Sequence, residues 1–411
     1  MMTTFQPQPL TVHAMDWQPA LAELAAGAAP AAGAADAAIE AWAERCRADL
    51  EAALPGQQHL VLAHPGAVRE AARVYLSSPQ AQGWLHSPLA GGPGAPHWSA
   101  RAADALYMAA LQAQEHGFCA ADCGVLGMMG ALASIEALDQ ALPLAFTGAR
   151  RHFPLLGAAR AQAFQALPRS VHAAGHPHGL YAVMGDADWV LRALDLGVRV
   201  VQLRVKHPEA GQLDADVARC AEAAARHGAL LYINDHWQAA LRHVLYRNGH
   251  GIHGMHLGQE DLQTLSDADL DRIQLAGLRL GVSTHSLWEL ARALRVRPSY
   301  VACGPVHATT TKDMPWVPLG DANVAWWAHL VHDEAGADHP ALPLVAIGGM
   351  TPQRARAAAA AGADLVAVVS ALTTAADSAQ AVAALREAIA QGQAVRTETP
   401  APAWPLPTLV R

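Results

Sequence analysis

The sequence has few charged residues and no excess of positive charge, and both shortages exclude classes of partner. Charged residues make up 16% of the chain, and 28 Lys and Arg stand against 36 Asp and Glu, a formal net charge of -8 at pH 7. Such a chain has no field that attracts nucleic acid or an anionic membrane. We therefore expect small-molecule partners, no nucleic acid and no membrane. Whether the chain forms a homo-oligomer stays open.

Cysteine is scarce, and the apolar runs are short. The irregular spacing of the cysteines is typical of free thiols in a reducing cytosol, so a cytoplasmic protein is expected. The first residues lack a basic segment followed by an apolar run, so we expect no signal peptide. The apolar stretch at 123–135 is too short and too interrupted by glycine to span a bilayer. The five cysteines are Cys46, Cys119, Cys123, Cys220 and Cys303.

Alanine is abundant, and the 411 residues suggest two or more domains. Residues 1–145 are predicted to form a mainly helical or α/β N-terminal domain of unknown role, which shows no glycine-rich phosphate loop. Residues 146–178, broken by glycine and proline, are predicted to be a linker, and residues 396–411 a C-terminal tail. The elements predicted in the first half are a strand at 59–63 and helices at 17–54, 67–76, 100–116 and 121–142.

From residue 179 short apolar strands alternate with helical segments. Continuous apolar runs are typical of parallel strands buried on both faces. Eight such units, with polar residues after most strands, favour a (β/α)8 TIM barrel over 179–395 rather than a doubly wound open sheet. The predicted strands are 180–184, 198–203, 229–233, 254–257, 278–282, 300–303, 344–347 and 365–369, and predicted helices include 214–227, 267–273, 286–294, 352–361 and 378–391.

Polar side chains follow the second to fifth of these strands. Strand two carries Gln202 and continues into Arg204 and Lys206, which alternation points the same way. The remaining candidates are Asn234 and Asp235 after strand three, Asp261 after strand four and Ser283 after strand five.

The last three strands end in residues suited to phosphate. Strand six runs into a loop with Thr309, Thr311 and Lys312, whose hydroxyls and cation suit phosphate or pyrophosphate oxygens, although a solvated surface turn is an alternative interpretation. Gly349 follows strand seven, and Val369 and Ser370 end strand eight, where barrels of this type bind phosphate through backbone N–H groups.

These residues fall into two anion sites of different character. The carboxylates of Asp235 and Asp261, close to cations, suit Mg2+ bound to a diphosphate, and the neutral group after strands seven and eight suits a phosphate monoester. Each aspartate has the alternative of capping a helix, and Arg204 and Lys206 that of pairing with acids. No activated nucleophile is evident, so covalent catalysis is not indicated.

Seven motifs in order resemble the thiamine-phosphate synthase family. The resemblance implies a transferase that joins 4-amino-2-methyl-5-hydroxymethylpyrimidine diphosphate to 4-methyl-5-(2-hydroxyethyl)thiazole phosphate by a dissociative mechanism, with Mg2+ as cofactor. The motifs are Gln-Leu-Arg-Val-Lys (202–206), Ile-Asn-Asp (233–235), His-Leu-Gly-Gln-Glu-Asp (256–261), Gly-Val-Ser-Thr-His (281–285), Gly-Pro-Val-His-Ala-Thr-Thr-Thr-Lys (304–312), Ile-Gly-Gly-Met (347–350) and Val-Val-Ser-Ala (368–371).

The resemblance also implies roles for individual residues. Asp235 and Asp261 would bind the metal, and Gln202 would contact substrate. The catalytic residues would be Arg204, Ser283 and Lys312. The pyrophosphate would be held by Arg204, Lys206, Asn234, Ser283 and Lys312, and the thiazole phosphate by Thr309, Thr311, Gly349, Val369 and Ser370.

Departures from the family pattern and two alternative functions accompany this resemblance. Val205 stands where the family commonly has glutamate, Ala308 where it has proline, and residues 242–253 are longer than usual. A thiazole tautomerase on the same barrel is one alternative, and a non-catalytic sensor of thiamine precursors is another. Residues 112–138 faintly resemble the C-terminal helices of ribokinase-like pyrimidine kinases, which implies a degenerate, non-catalytic relative.

Overall fold

The computed structural model describes residues 10–14, 34–55, 58–63, 72–88, 100–137, 148–167, 179–209, 211–246, 251–309, 315–332, 341–396 and 404–409. Within these ranges the chain forms a five-stranded sheet with its helices and a closed barrel of eight strands. None of the helices in these ranges is long and apolar enough to cross a membrane.

The amino-terminal half is built on a mixed sheet. Its first two strands pair in parallel, and the remaining neighbours are antiparallel. The sheet order follows the sequence from β1 to β5. Its elements are β1 Leu10–Ala14, α1 Asp36–Ala53, β2 Gln58–Ala63, β3 Arg73–Ser77, β4 Gln82–His86, α2 Ala100–Glu115, α3 Ala120–Glu136 and β5 Leu155–Leu156.

Alternation along β2 explains the layering of this half. Val61 belongs to a buried cluster with Ile39 and Trp42 of α1, whereas Leu60 and Leu62 belong to the cluster that contains α2 and α3. Successive side chains of a strand point to opposite faces. The sheet is therefore covered by α1 on one face and by α2 and α3 on the other.

One local prediction in this half was wrong. The helix predicted at 67–76 is a strand from Arg73 onward, because Val74 and Tyr75 lie in a segment paired with both β2 and β4; residues 64–71 lie outside the described residues. The predicted linker contains β5, which pairs with β4. The strand at 59–63 and the helices at 100–116 and 121–142 are confirmed within the part that is described.

The carboxyl-terminal half is the predicted barrel. Each strand pairs in parallel with its neighbour and β13 pairs with β6, which closes the sheet. An open doubly wound sheet is excluded. The strands are β6 Leu180–Met184, β7 Val200–Leu203, β8 Leu230–Asn234, β9 Ile252–Leu257, β10 Arg279–Thr284, β11 Tyr300–Cys303, β12 Leu344–Ile347 and β13 Leu365–Val368.

Helices surround the barrel, and the five predicted ones are confirmed. The start of the helix at Pro352 shows how capping sets a helix boundary. Thr351 accepts a hydrogen bond from the Arg354 N–H, and Pro352 is the first helical residue. The helices are α4 Ala187–Asp195, α5 Gln212–His227, α6 Trp237–Tyr246, α7 Gln259–Thr264, α8 Asp267–Leu275, α9 Leu287–Arg295, α10 Gly320–His332, α11 Pro352–Ala360, α12 Ser370–Thr373 and α13 Ser378–Ala394.

The barrel interior is a separate buried cluster. Tyr181 and Val183 of β6 point inward, while Ala182 and Met184 face the helices. Leu167, from the segment predicted as linker, belongs to the interior cluster, and its N–H donates to the Ser299 carbonyl at 3.0 Å. Because Ser299 immediately precedes β11, Leu167 fills the amino-terminal end of the barrel.

Residues 404–409, which we call the strap, lie against both halves. The Trp404 indole stacks on the imidazole of His116, and the Leu406 N–H donates to Oδ1 of Asn323 on α10 at 2.7 Å. The two halves are therefore joined by a segment that follows the barrel in sequence.

Candidate functional site

The carboxyl ends of the eight parallel strands meet at one rim, which we call the mouth. The sequence-predicted residues follow these strands and therefore lie around it. Thr311 and Lys312 lie outside the described residues, so their placement stays a prediction. The described candidates are Gln202, Arg204, Lys206, Asn234, Asp235, Asp261, Ser283, Thr309, Gly349, Val369 and Ser370.

The two predicted metal ligands are neighbours. Burial, the charge of Asp261 and a hydrogen bond to it raise the pKa of Asp235 to about 6, and Arg204 opposes that rise. Asp235 has a φ of 60°, and the amide of Asn234 donates to its carboxylate. Asp261 lies in the first turn of α7. The mouth therefore holds a paired set of carboxylates with one cation nearby.

The β7 loop, residues 204–209, is fixed to its neighbours. The Arg204 N–H donates to the Met184 carbonyl at 2.8 Å, and Nε2 of His236 lies 2.8 Å from the Val205 carbonyl. Lys206 is exposed beside them. The β7 loop, which carries the predicted cations Arg204 and Lys206, is thus hydrogen-bonded to His236, the residue after Asp235.

A chain of polar side chains runs through the upper interior of the barrel. Nε2 of Gln202 donates to the Tyr181 hydroxyl at 2.9 Å, which lies 3.0 Å from the Tyr300 hydroxyl. The Tyr300 hydroxyl is 2.9 Å from Nδ1 of His256, and Nε2 of His256 is 2.7 Å from Oγ of Ser283. We call these five residues the polar chain.

The polar chain links the interior of the barrel to the mouth. Burial and the Arg204 charge lower the pKa of His256 to about 3, so the imidazole is neutral. A neutral imidazole donates from one ring nitrogen and accepts at the other. His256 therefore connects the Tyr300 hydroxyl to the Ser283 hydroxyl, one as donor and the other as acceptor.

The loops after β11 and β12 approach each other closely. A Cβ on Gly349 would lie 2.5 Å from the Ala308 carbonyl oxygen, and the φ of Gly349 is 62°. The Arg354 guanidinium donates to the Gly349 carbonyl at 2.7 Å. Only glycine permits this approach without strain. The arrangement places backbone groups and one cation beside the start of α11.

The β11 loop, residues 304–319, closes on itself. The Leu319 N–H donates to the Pro305 carbonyl at 2.8 Å, and the Gly320 N–H donates to the Val306 carbonyl at 2.9 Å. Thr309 is half-buried. The described limbs of this loop, 304–309 and 315–319, are therefore held side by side.

The amino-terminal half contributes a carboxylate beneath residues 283–286, which are the end of β10 and the start of the loop after it and which we call the β10 loop. Asp122 of α3 is buried and accepts from the Trp288 N–H at 2.9 Å, at the start of α9. Burial raises its pKa to about 7, against hydrogen bonds from the Trp288 and Leu287 backbone. Glu289, also on α9, accepts from the His285 N–H at 2.7 Å. Asp122 thus caps a helix that is bonded to the β10 loop.

Sequence reasoning missed several of these residues. Inward alternation along the strands was a signal for Tyr181, Tyr300 and His256, since residues two apart share a face. Arg354 lies in the first turn of a predicted helix next to predicted phosphate ligands. Asp122 had no such signal, because its role depends on how the two halves pack.

The fold and the mouth define a (β/α)8-barrel protein whose rim combines paired carboxylates, a cation and a buried polar chain. The family model described as thiamine monophosphate synthase matches residues 180–372. Thiamine-phosphate synthase of Salmonella choleraesuis (strain SC-B67) is 45% identical over 214 residues, covering 52% of this chain and 93% of that protein. The enzyme of the same name from Cronobacter sakazakii is 46% identical over 202 residues, covering 49% and 88%.

A solved structure titled thiamine phosphate pyrophosphorylase, from Pyrococcus furiosus, is 23% identical with a TM-score of 0.42, covering 53% of this chain and 98% of that one. Because these curated relatives are 45% and 46% identical to the chain and are matched over 93% and 88% of their own length, the chain belongs to the thiamine-phosphate synthase family. These relatives match about half of the chain, and the resemblance of residues 112–138 to pyrimidine kinases stays a prediction.

Proposed function

We propose that this protein is a thiamine-phosphate synthase. It would join hydroxymethylpyrimidine diphosphate to hydroxyethylthiazole phosphate and release pyrophosphate. Family membership supports the reaction, and the observation that carries it in the structure is the contact of Asp235 with Asp261 at the mouth. A pair of carboxylates beside a cation suits a metal-bound diphosphate, whereas a reaction on a thiazole phosphate alone has no use for it.

The carboxylates fit Mg2+ on two counts. Burial raises the pKa of Asp235, and the negative charge of Asp261 raises it further; a divalent cation would neutralise that repulsion. Among the residues that the structure describes, no group of three or more metal-binding side chains occurs; Mg2+ characteristically takes one or two carboxylates and fills its remaining positions with water and substrate phosphates. When bound, Mg2+ would neutralise charge on the leaving pyrophosphate.

The remaining chemistry comes from the chain itself. In the proposed reaction the bond between the pyrimidine methylene carbon and the diphosphate oxygen breaks, and its electron pair leaves with pyrophosphate. Arg204 and the Ser283 hydroxyl stabilise that leaving group, because a fixed cation and an oriented donor favour developing negative charge. The lone pair of the thiazole nitrogen then forms the new bond to carbon, so no general base is needed.

The thiazole phosphate would bind at the segments that follow β11, β12 and β13. Gly349, Val369 and Ser370 offer backbone groups there, and Thr309 offers a hydroxyl. Arg354 is a cation that we add to this set, because its guanidinium already reaches the Gly349 carbonyl. The roles that the family resemblance implies are retained for the remaining candidates, which are Lys206, Asn234, Thr311 and Lys312.

A two-substrate assay tests the proposal. Pyrophosphate should appear only when both substrates and Mg2+ are present, and release from the pyrimidine diphosphate alone would indicate a hydrolase instead. Asp235→Asn should abolish release. Its matched control is Asp195→Asn, at the carboxyl end of α4 before β7 and so at the opposite end of the barrel, which should keep full activity.

A further inference from the structure

The strap is held by the amino-terminal half at its upstream end. The rings of Trp404 and His116 stack with centroids 4.4 Å apart and planes 16° apart. Phe118 lies beside the same indole, with centroids 6.4 Å apart. Stacked aromatic pairs stabilise a contact beyond the area they bury. The strap therefore docks on the segment that joins α2 to α3.

The strap is hydrogen-bonded to the barrel further along. The Leu406 N–H donates to Oδ1 of Asn323 at 2.7 Å, and Nδ2 of Asn323 donates back to the Leu406 carbonyl at 2.8 Å. The Val317 N–H donates to the Thr408 carbonyl at 2.8 Å. Asn323 and Thr408 are buried. Removing the strap would leave buried polar groups of the barrel without partners, which is costly.

These contacts reach the mouth through one indole. Trp316 forms an antiparallel bridge with Leu409 of the strap. The Trp316 ring stacks on the imidazole of His285, with centroids 5.1 Å apart and planes 6° apart. His285 lies two residues after Ser283, the last member of the polar chain. The strap thus touches the downstream limb of the β11 loop and, through it, the β10 loop.

The amino-terminal half also supports the β10 loop through α9, independently of the strap. Asp122 caps α9, and Glu289 on that helix lies 2.7 Å from Nδ1 of His285. His285 is therefore held between Glu289, below it, and Trp316, which the strap fixes. One support leads back to Asp122 of α3, and the other to the segment that joins α2 to α3.

We propose that the strap and Asp122 form a clamp through which the amino-terminal half positions the β10 and β11 loops for catalysis. This inference rests on the proposed function. Trp316 and His285 are its positioning residues. The family model ends at residue 372, so the strap and the amino-terminal half are additions of this chain to the matched barrel. Misplacing reacting groups by about 1 Å lowers the rate by up to about 100-fold. Loss of the clamp can therefore lower the rate by a factor of up to that size.

A chain that ends after residue 403 tests the clamp. Its kcat/KM for the pyrimidine diphosphate should fall at least about tenfold, and a peptide of residues 401–411 added in trans should restore it. The matched control is Leu406→Ala, which removes a half-exposed side chain but keeps both backbone hydrogen bonds to Asn323. Where the shortened chain folds poorly, Trp404→Ala replaces it with the same expectation.

A double-mutant cycle separates positioning from general stability. Trp316→Ala should lose as much kcat/KM as the shortened chain, Trp316→Phe should retain most of it, and the shortened chain with Trp316→Ala should lose no more than either change alone, because both act through one contact. Additive losses, or a shortened chain with kcat/KM within twofold of the full chain, would overturn the clamp.

Amide hydrogen exchange measured without substrates tests the clamp independently of the synthase assay. Shortening the chain should speed exchange of amides in residues 283–286 and 315–320 while residues 58–63 stay protected. Unchanged exchange at the mouth would refute the clamp even in an active enzyme. Absence of pyrophosphate release from the full chain would instead refute the proposed function and leave the exchange result to decide the clamp.

Discussion

Replacing Asp235 with asparagine should make the metal-free protein more stable while it removes activity. The pKa of Asp235 is raised from 3.8 to about 6 in the folded protein, chiefly by burial and then by Asp261. The folded state therefore binds this proton more tightly than the unfolded state does. The contribution of Asp235 to stability is greatest below about pH 4 and is lost as the pH rises through about 6.

The magnitude follows from the size of the shift. A rise of about two units corresponds to a ceiling of roughly 3 kcal/mol, and because Asp235 is partly exposed, solvent screening reduces this to about 1 kcal/mol. Asparagine removes the charge and accepts the left-handed backbone at this position, where φ is 60°, more readily than most residues. We expect the melting temperature to rise by about 2 °C at pH 8.

Thermal melts in a chelator at pH 4 and pH 8 check this prediction. The two proteins should differ at pH 8 and coincide at pH 4, since protonated aspartate resembles asparagine. Asp195→Asn alters an exposed contact with His227 at 3.2 Å, and exposed pairs contribute little, so this variant should stay within about 0.5 kcal/mol of the parent at both values. If Asp235→Asn is less stable than the parent at pH 8 without metal, the burial and carboxylate repulsion from which we propose a metal site are refuted.

Three further predictions concern groups away from the carboxylate pair. Nitrogen NMR should find the His256 imidazole neutral from pH 5 to pH 9, and His256→Ala should lower kcat/KM at least about fivefold by breaking the polar chain; a charged imidazole at pH 6 would contradict this. Asp364→Asn should cost about 2 kcal/mol in urea unfolding at neutral pH. The pKa of Asp364 is lowered, against the effect of burial, by His332, so this cost should vanish as the pH falls below about 4, and a constant difference would refute it. Gly124→Ala should destabilise the amino-terminal half by about 2 kcal/mol in thermal melts, because its Cβ would lie 2.4 Å from Cδ1 of Leu76; an unchanged melt would show that this contact relaxes freely.

The barrel was predictable because its strands are short apolar runs buried on both faces. Predicted and observed strand ends differ by at most two residues, as with 254–257 against Ile252–Leu257. Parallel closure then places every strand end at one mouth, so residues such as Asp235 and Asp261 could be grouped before any coordinates were known. Pattern and topology together were sufficient to bring these two side chains together.

The remaining features depend on packing that local sequence does not encode. Residues 67–76 have helical composition, but Val74 and Tyr75 lie between two strands of the sheet, where pairing overrides propensity. The role of Asp122 exists only because α3 meets the start of α9. The strap has one described β-bridge and little local pattern, so nothing in residues 404–409 indicates what they contact.

The stacking of Trp404 on His116 has a consequence for how the protein is made. During translation the residues of the first sheet leave the ribosome early and can begin to fold as a unit. Trp404 cannot dock on them until residue 404 has been synthesised, which happens after all eight strands of the barrel. The final arrangement of the β10 and β11 loops is therefore completed only after the barrel itself has emerged.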